Sequence, residues 1–335
     1  MAEALEIEEK EMKKKNMKGK QAREIDRHLA AVWTNRGINL DSLDRHEEAI
    51  VCYEEALRLD PRLAPAWKSK GYSLNCLGRL NDAVDCCNNA LELDPHDADT
   101  WFNKGNCLNS LDRYEEAIGC YDKALRLSPC DADFWCNKGD CLNRWGRNEE
   151  ALCCCDKALE LDPRDADVWN NKGNSFDDLG RYEEALSCFD KASELDPDHA
   201  DSWFNKGNSL RNLGRYEVAL CCYDKALAVD CRHSSAWTNK GITLDYLGRH
   251  EGAIVCYDKA LELAPRDADA WNNKGRSLNS LGRYEDAICC CDRAIELDPC
   301  HLNALYNKFL AEDNLSHVEG SEPLRKSAGA VVSPR

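Results

Sequence analysis

Cysteine is the residue type in this sequence with the widest chemical potential. Of the 21 cysteines, eight recur at a spacing of 34 residues: Cys52, Cys86, Cys120, Cys154, Cys188, Cys222, Cys256 and Cys290. Thiolates in a fixed pattern could bind a metal ion, form disulfides or carry out redox chemistry. The sequence, however, contains no CxxC pair and no cysteine–histidine set with the spacing of a zinc site. We therefore predict that these cysteines pack as small apolar side chains, with neither metal nor cofactor bound. A redox or metal store is the alternative.

Asparagine forms a second periodic series. Ser69 replaces it once, and the series continues to the end of the array: Asn35, Asn103, Asn137, Asn171, Asn205, Asn239, Asn273 and Asn307. A primary amide both donates and accepts hydrogen bonds, so it can pair with the peptide unit of an extended chain whatever that chain's side chains are. More asparagines follow three residues later (Asn106, Asn174, Asn208) or six residues later (Asn109, Asn143, Asn279). We predict a row of peptide-binding amides; the alternative is that the amides satisfy neighbouring backbone groups.

The elements that position both series follow from a third periodicity. Tryptophan recurs every 34 residues from Trp33 to Trp271, which defines eight units starting at residues 30, 64, 98, 132, 166, 200, 234 and 268. In each unit, positions 4, 8, 11 and 14 form one helical stripe and positions 20, 21, 24, 27 and 28 form another. A Gly-Arg or Asp-Arg pair separates the stripes, and Asp-Pro ends most units. Glycine at position 8 of every unit costs about 1 kcal/mol relative to alanine in a helix, which predicts a close helix crossing.

The residues at these positions resemble the tetratricopeptide repeat. Tryptophan at position 4, glycine at 8, alanine at 20 and 27, an aromatic residue at 24 and proline at 32 carry the resemblance over residues 30–301. It implies an all-α fold, a right-handed α-α superhelix or solenoid. The sequence departs from the family at position 7, which is Lys or Arg, and at position 24, which is cysteine in three units. In such a stack, equivalent cysteines lie about 8–10 Å apart, too far for disulfides.

The resemblance also implies where a ligand binds. Tetratricopeptide stacks line an inner groove with positions 2, 5, 6, 9, 12 and 13 of their first helices, and the asparagine series occupies position 6. Such a row resembles the peptide-binding groove in the repeat domain of O-linked N-acetylglucosamine transferase. The two-carboxylate clamp of chaperone-binding tetratricopeptide domains is absent, because Lys68 alone matches position 5 of that clamp and no position 6 is arginine.

Charge at the groove positions predicts the chemistry of the ligand. Aspartates outnumber basic residues there, which favours a neutral or basic peptide. The lysines at position 7 would weaken this prediction if their ammonium groups reached the groove. The alternative is that their stems pack and their charges pair with acidic neighbours.

Segments outside the repeats differ in composition. Residues 1–29 form a charged N-terminal segment that we interpret as helical next to the first repeat. Residues 302–315 match the first helix of a repeat but are followed by no second helix, which predicts a C-terminal capping helix. Residues 316–335 are predicted to be a disordered tail. Within the array, the sixth unit ends with Cys231 in place of proline and is followed by Ser234-Ser235, which predicts the loosest junction of the stack there.

Composition narrows the function further. A net charge of −17 argues against a nucleic-acid partner, and no apolar stretch approaches the roughly 18 residues of a membrane helix. The N-terminus lacks the apolar region of a secretory signal, which favours the cytoplasm or the nucleus and reduced thiols. We predict a non-enzymatic adaptor with a protein or peptide partner, whose oligomeric state the sequence does not define. The alternative is a regulatory or substrate-recruiting subunit of an enzyme or assembly complex, such as a glycosyltransferase or a chaperone.

Overall fold

The structure, a computed structural model, describes residues 23–328, with side chains described through residue 318. Within these residues every regular element is an α-helix. The first helices of the repeats are α1 (residues 23–41), α3 (Ala64–Cys76), α5 (Ala98–Ser110), α7 (Ala132–Arg144), α9 (Ala166–Asp178), α11 (Ala200–Asn212), α13 (Ser234–Tyr246) and α15 (Ala268–Ser280). The second helices are α2 (His46–Leu59), α4 (Leu80–Leu93), α6 (Tyr114–Leu127), α8 (Asn148–Leu161), α10 (Tyr182–Leu195), α12 (Tyr216–Val229), α14 (His250–Leu263) and α16 (Tyr284–Leu297), and α17 (Leu302–Ala328) follows them. The predicted all-α solenoid of helix pairs is confirmed.

A left-handed backbone conformation at position 15 ends each first helix. Six of the eight residues at this position are glycines, and the other two are Asp44 and Asp112, each with a φ of 57°. Aspartate is among the few residues other than glycine that tolerate this conformation. In six of the eight repeats the arginine that follows forms an ion pair three residues further on, as between Arg113 and Glu116, whose Nη2 and Oε2 atoms lie 2.7 Å apart; Arg215 and Arg249 pair instead with Glu183 and Glu217. The Gly-Arg and Asp-Arg pairs thus form the turn between the two helices.

Glycine at position 8 allows the two helices of a repeat to cross closely. A Cβ atom built on Gly105 would lie 2.6 Å from Cε1 of Tyr121, which is fully buried. The alanines at positions 20 and 27, which in this repeat are Ala117 and Ala124, are buried in the same interface. Because glycine and alanine are so small, these positions leave room for the aromatic ring at position 24.

The tryptophans connect successive repeats. The indole N–H of Trp101 donates a hydrogen bond to the carbonyl oxygen of Pro95 at a distance of 3.1 Å, six residues earlier. The same bond recurs between Trp203 and Pro197 at 3.0 Å. Because the proline belongs to the turn after the preceding second helix, each such bond fixes the start of a first helix against the repeat before it.

The chain divides into two larger compact units, each of several repeats: residues 1–163, called the first unit below, and residues 164–335, called the second unit. In each unit the helices pack in sequence order, as α4 packs against α3 and α5 in the first unit and α12 against α11 and α13 in the second. Successive first helices also touch each other, as α3 touches α5 and α13 touches α15, whereas successive second helices of the described chain do not. The first helices therefore lie on the concave side of each unit.

The ends of the described chain differ from the predicted boundaries. Residues 23–29 are helical and continuous with α1, while residues 1–22 lie outside the described residues. The predicted capping segment 302–315 lies within α17, which continues to Ala328, so part of the segment predicted as a disordered tail is helical here. Serine and glycine lower helix propensity without ending a helix, and Ser316 bonds the carbonyl of Asp313 within the helix at 2.8 Å. Residues 329–335 lie outside the described residues.

Candidate functional site

The asparagines at position 6 lie on the first helices, which form the concave side of each unit. Asn35 in α1 is exposed. The seven others are half-buried: Asn103, Asn137, Asn171, Asn205, Asn239, Asn273 and Asn307. Asn35, Asn103 and Asn137 belong to the first unit and the remaining five to the second. The structure thus places every member of the predicted series on the concave side of one unit or the other.

Three of these amides in the second unit are held by an asparagine of the preceding repeat. Asn205 Nδ2 donates to Asn170 Oδ1 at 3.1 Å, and Asn307 Nδ2 donates to Asn272 Oδ1 at 2.8 Å. Asn170 and Asn272 are buried at position 5. In these two pairs one N–H of the position-6 amide is bonded, whereas its oxygen accepts no hydrogen bond from the described residues.

Asn239 is held in a related way. Its Nδ2 donates to Asn208 Oδ1 at 2.9 Å, and the same oxygen also accepts the hydroxyl of Tyr223 at 2.8 Å. The orientation of Asn239 is therefore fixed through Asn208 by a buried tyrosine. Burial, the main cause, raises the pKa of Tyr223 to about 12, so its hydroxyl remains a donor at physiological pH.

Asn103, Asn137 and Asn273 do not share this arrangement. Asn137 Nδ2 donates to the backbone carbonyl of Asp133 within its own helix, at 2.9 Å. Asn103 and Asn273 make no side-chain hydrogen bond with the described residues. For Asn137 the structure therefore follows the alternative in which the amide satisfies the backbone.

The supporting asparagines at position 9 serve mainly as acceptors. Asn106 Oδ1 accepts the hydroxyl of Tyr121 at 2.8 Å, as Asn208 accepts that of Tyr223. Asn174 has no such donor, because Phe189 replaces the tyrosine in its repeat. Tyrosine at position 24 thus fixes the amide at position 9, a relation that the sequence alone did not reveal.

The supporting asparagines at position 12 connect neighbouring repeats. Asn109 Nδ2 donates to Asp140 at 3.2 Å, and its buried Oδ1 has no partner within the described chain. Asn279 Oδ1 accepts from Asn314 in α17 at 3.1 Å. Asn143, the third of this group, is half-buried.

Two buried carboxylate networks were not anticipated from the sequence. Asp41 accepts the hydroxyls of Tyr53 at 2.6 Å and of Ser73 at 2.7 Å, and lies 3.0 Å from Nδ1 of His46. Burial and the hydrogen bond to Asp41 raise the pKa of Tyr53. The equivalent network of the seventh repeat consists of Asp245, His250, Tyr257 and Ser277. In both, the serine donates its hydroxyl to the carboxylate and not to the histidine. Histidine at position 17 occurs in these two repeats alone and was the sequence signal for them.

Most lysines at position 7 are neutralised by a neighbouring helix. Five of their ammonium groups pair with an acidic residue on the preceding second helix, as Lys138 does with Asp122 at 2.7 Å and Lys274 with Asp258 at 2.6 Å. The same ammonium groups lie over the tryptophan of their own helix, 5.5 Å from the ring of Trp135 for Lys138. Lys104 forms no ion pair with the described residues, because Asn88 stands at the equivalent place on α4. The alternative in which these lysines pair with acidic neighbours is therefore the correct one for most of them.

The cysteines at position 23 are buried, as a packing role requires. Burial raises the pKa of Cys86, Cys154, Cys256 and Cys290 to about 11, which suppresses the reactive thiolate. The cysteines at position 22, by contrast, are exposed: Cys153, Cys221 and Cys289. Among the described residues, no group of three or more His, Cys, Asp or Glu side chains is arranged to hold a metal ion.

A pocket of about 450 Å³ opens on the concave side of the first unit. Its lining residues come from α1, α2, α3, α5 and α7 and include Asn103 together with two apolar rings, Phe102 and Phe134. Lys68, also in the lining, is bonded to Asp97 and Asp99 at 3.1 and 2.7 Å. Burial of Lys68 by itself would lower its pKa, but the bonds to these two carboxylates outweigh burial and raise it. The lysine therefore stays charged and locally neutralised.

Sequence similarity agrees with this architecture. A family model described as cilia and flagella-associated protein 70 C-terminal domain matches residues 1–203. Models described as tetratricopeptide repeat match residues 188–220, 234–267 and 268–299. No curated protein sequence matches the chain.

Solved structures share the fold. The crystal structure of the APC/C hetero-tetramer Cut9-Hcn1 aligns with a TM-score of 0.63 at 17% identity, over 79% of this chain and 52% of that chain. The pilF structure from Pseudomonas aeruginosa aligns with a TM-score of 0.56 at 23% identity, over 64% of this chain and 97% of its own. YrrB, a tetratricopeptide-repeat protein with an unusual peptide-binding site, aligns with a TM-score of 0.47 at 29% identity, over 56% and 97% of the two chains. No described helix is long and apolar enough to cross a lipid bilayer.

Proposed function

The chain belongs to the family of the cilia and flagella-associated protein 70 C-terminal domain, and we propose that it is a non-enzymatic scaffold that binds an extended polypeptide along the asparagines of its first helices. Its tetratricopeptide fold supports a role in protein interaction. The observation that carries the finer proposal is the fixed orientation of Asn205, Asn239 and Asn307 in the second unit.

Each of these three amides offers one free acceptor. One N–H of each amide is bonded to Asn170, Asn208 or Asn272, which fixes the orientation of the amide and leaves its oxygen as an acceptor, and its second N–H as a donor, for a ligand. Backbone N–H groups of an extended peptide are donors that recur whatever the side chains are. Because the amides are already held, little side-chain entropy is lost when they bind, which increases affinity. The arrangement supports recognition of backbone in preference to a particular sequence.

Charge supports a neutral-to-basic ligand. Most position-7 lysines are paired with second-helix carboxylates, whereas the position-2 aspartates Asp99, Asp167 and Asp269 are largely exposed. The chain as a whole carries a net charge of −17. Long-range attraction should therefore accelerate association with basic peptides and weaken as ionic strength rises.

The test uses full-length protein and a library of random 12-residue peptides. A peptide selected on the wild type is measured by fluorescence anisotropy against the triple variant Asn205→Ala, Asn239→Ala, Asn307→Ala. Each lost hydrogen bond is worth about 1 kcal/mol, so we expect Kd to rise by about 100-fold. Circular dichroism should show unchanged helix content, since the three side chains are half-buried and not in the core.

A matched control removes asparagines from a second helix. Asn81→Ala with Asn89→Ala alters α4, which lies away from the concave side, and should leave Kd unchanged. Equal Kd values for the wild type and the triple variant, or the failure of any peptide to be selected, would contradict the proposal.

The family name suggests the setting of this interaction. The matching family is described by association with cilia and flagella, and we extend the proposal to a partner among the components of those structures, reached from the cytoplasm. A substrate-recruiting subunit of an assembly complex is the alternative. In this alternative a further protein processes the bound polypeptide, and in the scaffold proposal none does. Co-purification, with the triple variant as control, would reveal such a protein.

A further inference from the structure

The pocket of the first unit combines an apolar wall with an acidic rim. Phe102 stacks on the buried Phe134, with ring centroids 4.6 Å apart and an interplanar angle of 25°. Tyr72 and Ile38 continue the wall, each with nearly half of its surface exposed. Asp131 and Asp133 lie at the same pocket. We call this set of residues the aromatic-acidic pocket.

Asp133 is the position-2 aspartate that has no cation to neutralise it. The other four pair with basic groups: Asp99 with Lys68, Asp167 with His199, Asp201 with His233 and Asp269 with His301. In three of these pairs the partner is a histidine 32 residues after the aspartate. The residue 32 positions after Asp133 is not a histidine but Asp165. Asp133 forms no side-chain hydrogen bond or ion pair with the described residues.

Asp131 adds a second carboxylate without a cationic partner. Its Oδ1 accepts the backbone N–H of Phe134 at 3.3 Å as the helix cap of α7, and no ion pair involves it among the described residues. The lysine that lines the pocket, Lys68, does not compensate, because Asp97 and Asp99 already neutralise it. The pocket therefore presents two uncompensated carboxylates beside an exposed aromatic surface.

We propose that the aromatic-acidic pocket binds an arginine side chain of the polypeptide that this chain captures, an inference that rests on the proposed function. A guanidinium group is planar and weakly hydrated, so it can lie against the ring of Phe102 while its N–H groups reach Asp131 and Asp133. Charge-assisted bonds of this kind are stronger than neutral ones. A lysine ammonium would satisfy the charge but not the flat aromatic surface, so arginine is preferred over lysine.

The experiment compares three peptides that differ at one position. The probes are Ac-GSAAAXAAASG-NH₂ with X as arginine, lysine or citrulline, the last of which keeps the shape of arginine without its charge. Binding to full-length protein is measured by isothermal titration at low and physiological salt. We expect the arginine peptide to bind at least tenfold more tightly than the citrulline peptide, with the lysine peptide between them.

Variants assign the preference to the pocket. Asp133→Asn and Phe102→Leu should each reduce the ratio of arginine to citrulline affinity by about tenfold. Two variants at equivalent positions outside the pocket serve as controls. Asp269→Asn changes the position-2 aspartate of α15. Phe204→Leu changes a phenylalanine whose ring centroid lies 6.1 Å from that of Tyr223, just as the centroid of Phe102 lies 6.0 Å from that of Tyr121. Both controls should leave the ratio unchanged.

The outcomes separate the inference from the proposed function. If the arginine and citrulline peptides bind equally well, and the triple asparagine variant binds neither, the arginine pocket is overturned and the scaffold proposal stays intact. An unchanged ratio in Asp133→Asn, or an equal loss in Asp269→Asn, would also overturn it. If no peptide binds but arginine amide alone still shows a Phe102-dependent interaction, the pocket is supported and the scaffold proposal fails.

Discussion

At the scale of the residue, two positions on facing helices determine how closely each repeat packs. Position 8 is always glycine, and its neighbour at position 24 is Tyr, Phe or Cys. Where that neighbour is aromatic, a Cβ atom at the glycine would overlap the ring, as at Gly173, 2.5 Å from Cε1 of Phe189. Where it is cysteine the room differs: the nearest atoms are 3.4 Å away at Gly139, but Sγ of Cys291 lies 2.8 Å from the Cβ position at Gly275. The same glycine is thus sterically required in some repeats and merely tolerated in others.

This difference predicts opposite effects for one substitution at two sites. Gly173→Ala should destabilise the fold by about 1–2 kcal/mol, because overpacking costs about 1–3 kcal/mol and the gain in helix propensity is about 1 kcal/mol. Gly139→Ala should stabilise it by about 0.5–1 kcal/mol, since the added methyl group makes ordinary contacts. Urea unfolding followed by circular dichroism measures both. Shifts of the midpoint in the same direction would show that the residue at position 24 does not control the effect.

At the scale of the element, the turn after each second helix joins neighbouring repeats. The residue at position 32 accepts a hydrogen bond from the next tryptophan whether it is proline or cysteine: Trp237 bonds the carbonyl of Cys231 at 3.1 Å, as Trp203 bonds that of Pro197 at 3.0 Å. The preceding residues also match, with φ and ψ of −125° and 93° at Asp230 against −132° and 96° at Asp196. The backbone at Cys231 therefore already has the conformation of a proline junction.

Cys231→Pro should accordingly strengthen the junction that the sequence predicts to be the loosest. The backbone N–H of Cys231 makes no hydrogen bond within the described chain, and the extended Asp230 suits a following proline. We expect an increase of about 0.4–1 kcal/mol in stability through a less flexible unfolded chain, with slower amide exchange over residues 230–236. Cys231→Ala removes the thiol without the ring and serves as the control. A proline variant no more stable than this control would argue against the junction as a weak point.

At the scale of the whole molecule, the cysteines divide by burial and not by spacing. Fourteen are buried and seven are exposed: Cys76, Cys130, Cys153, Cys221, Cys231, Cys289 and Cys300. Burial restricts access to the first group and raises the pKa of many of its thiols, as for Cys86 and Cys256 at about 11, whereas a hydrogen bond with Cys87 lowers the pKa of Cys107. Both properties slow reaction with thiol reagents, because the thiolate is the reactive form.

A thiol titration of the native, reduced protein should therefore proceed in two steps. Seven thiols should react rapidly at neutral pH, and the other fourteen should react only as the protein unfolds in denaturant. Zinc analysis of protein purified without oxygen accompanies the titration. Stoichiometric zinc, or fewer than seven rapid thiols in its presence, would favour the alternative of a metal store over packing.

The sequence by itself determined the repeat, the helix pairs and their turns. These features depend on contacts between residues close in the chain, such as Gly105 with Tyr121, so a 34-residue period is enough to express them. The row of asparagines at position 6 was visible for the same reason. The sequence could not assign the partners of those amides, because the donors and acceptors belong to different repeats.

Only the tertiary structure decided which polar groups remain free for a ligand. It paired most position-7 lysines with second-helix carboxylates, fixed Asn205 and Asn307 through Asn170 and Asn272, and left Asp133 without a cation. Each of these outcomes depends on distances between side chains on different helices, which set whether a charge or an amide is satisfied internally. The period locates the candidate residues in every repeat; the packing of one repeat on the next determines what each of them can still bind.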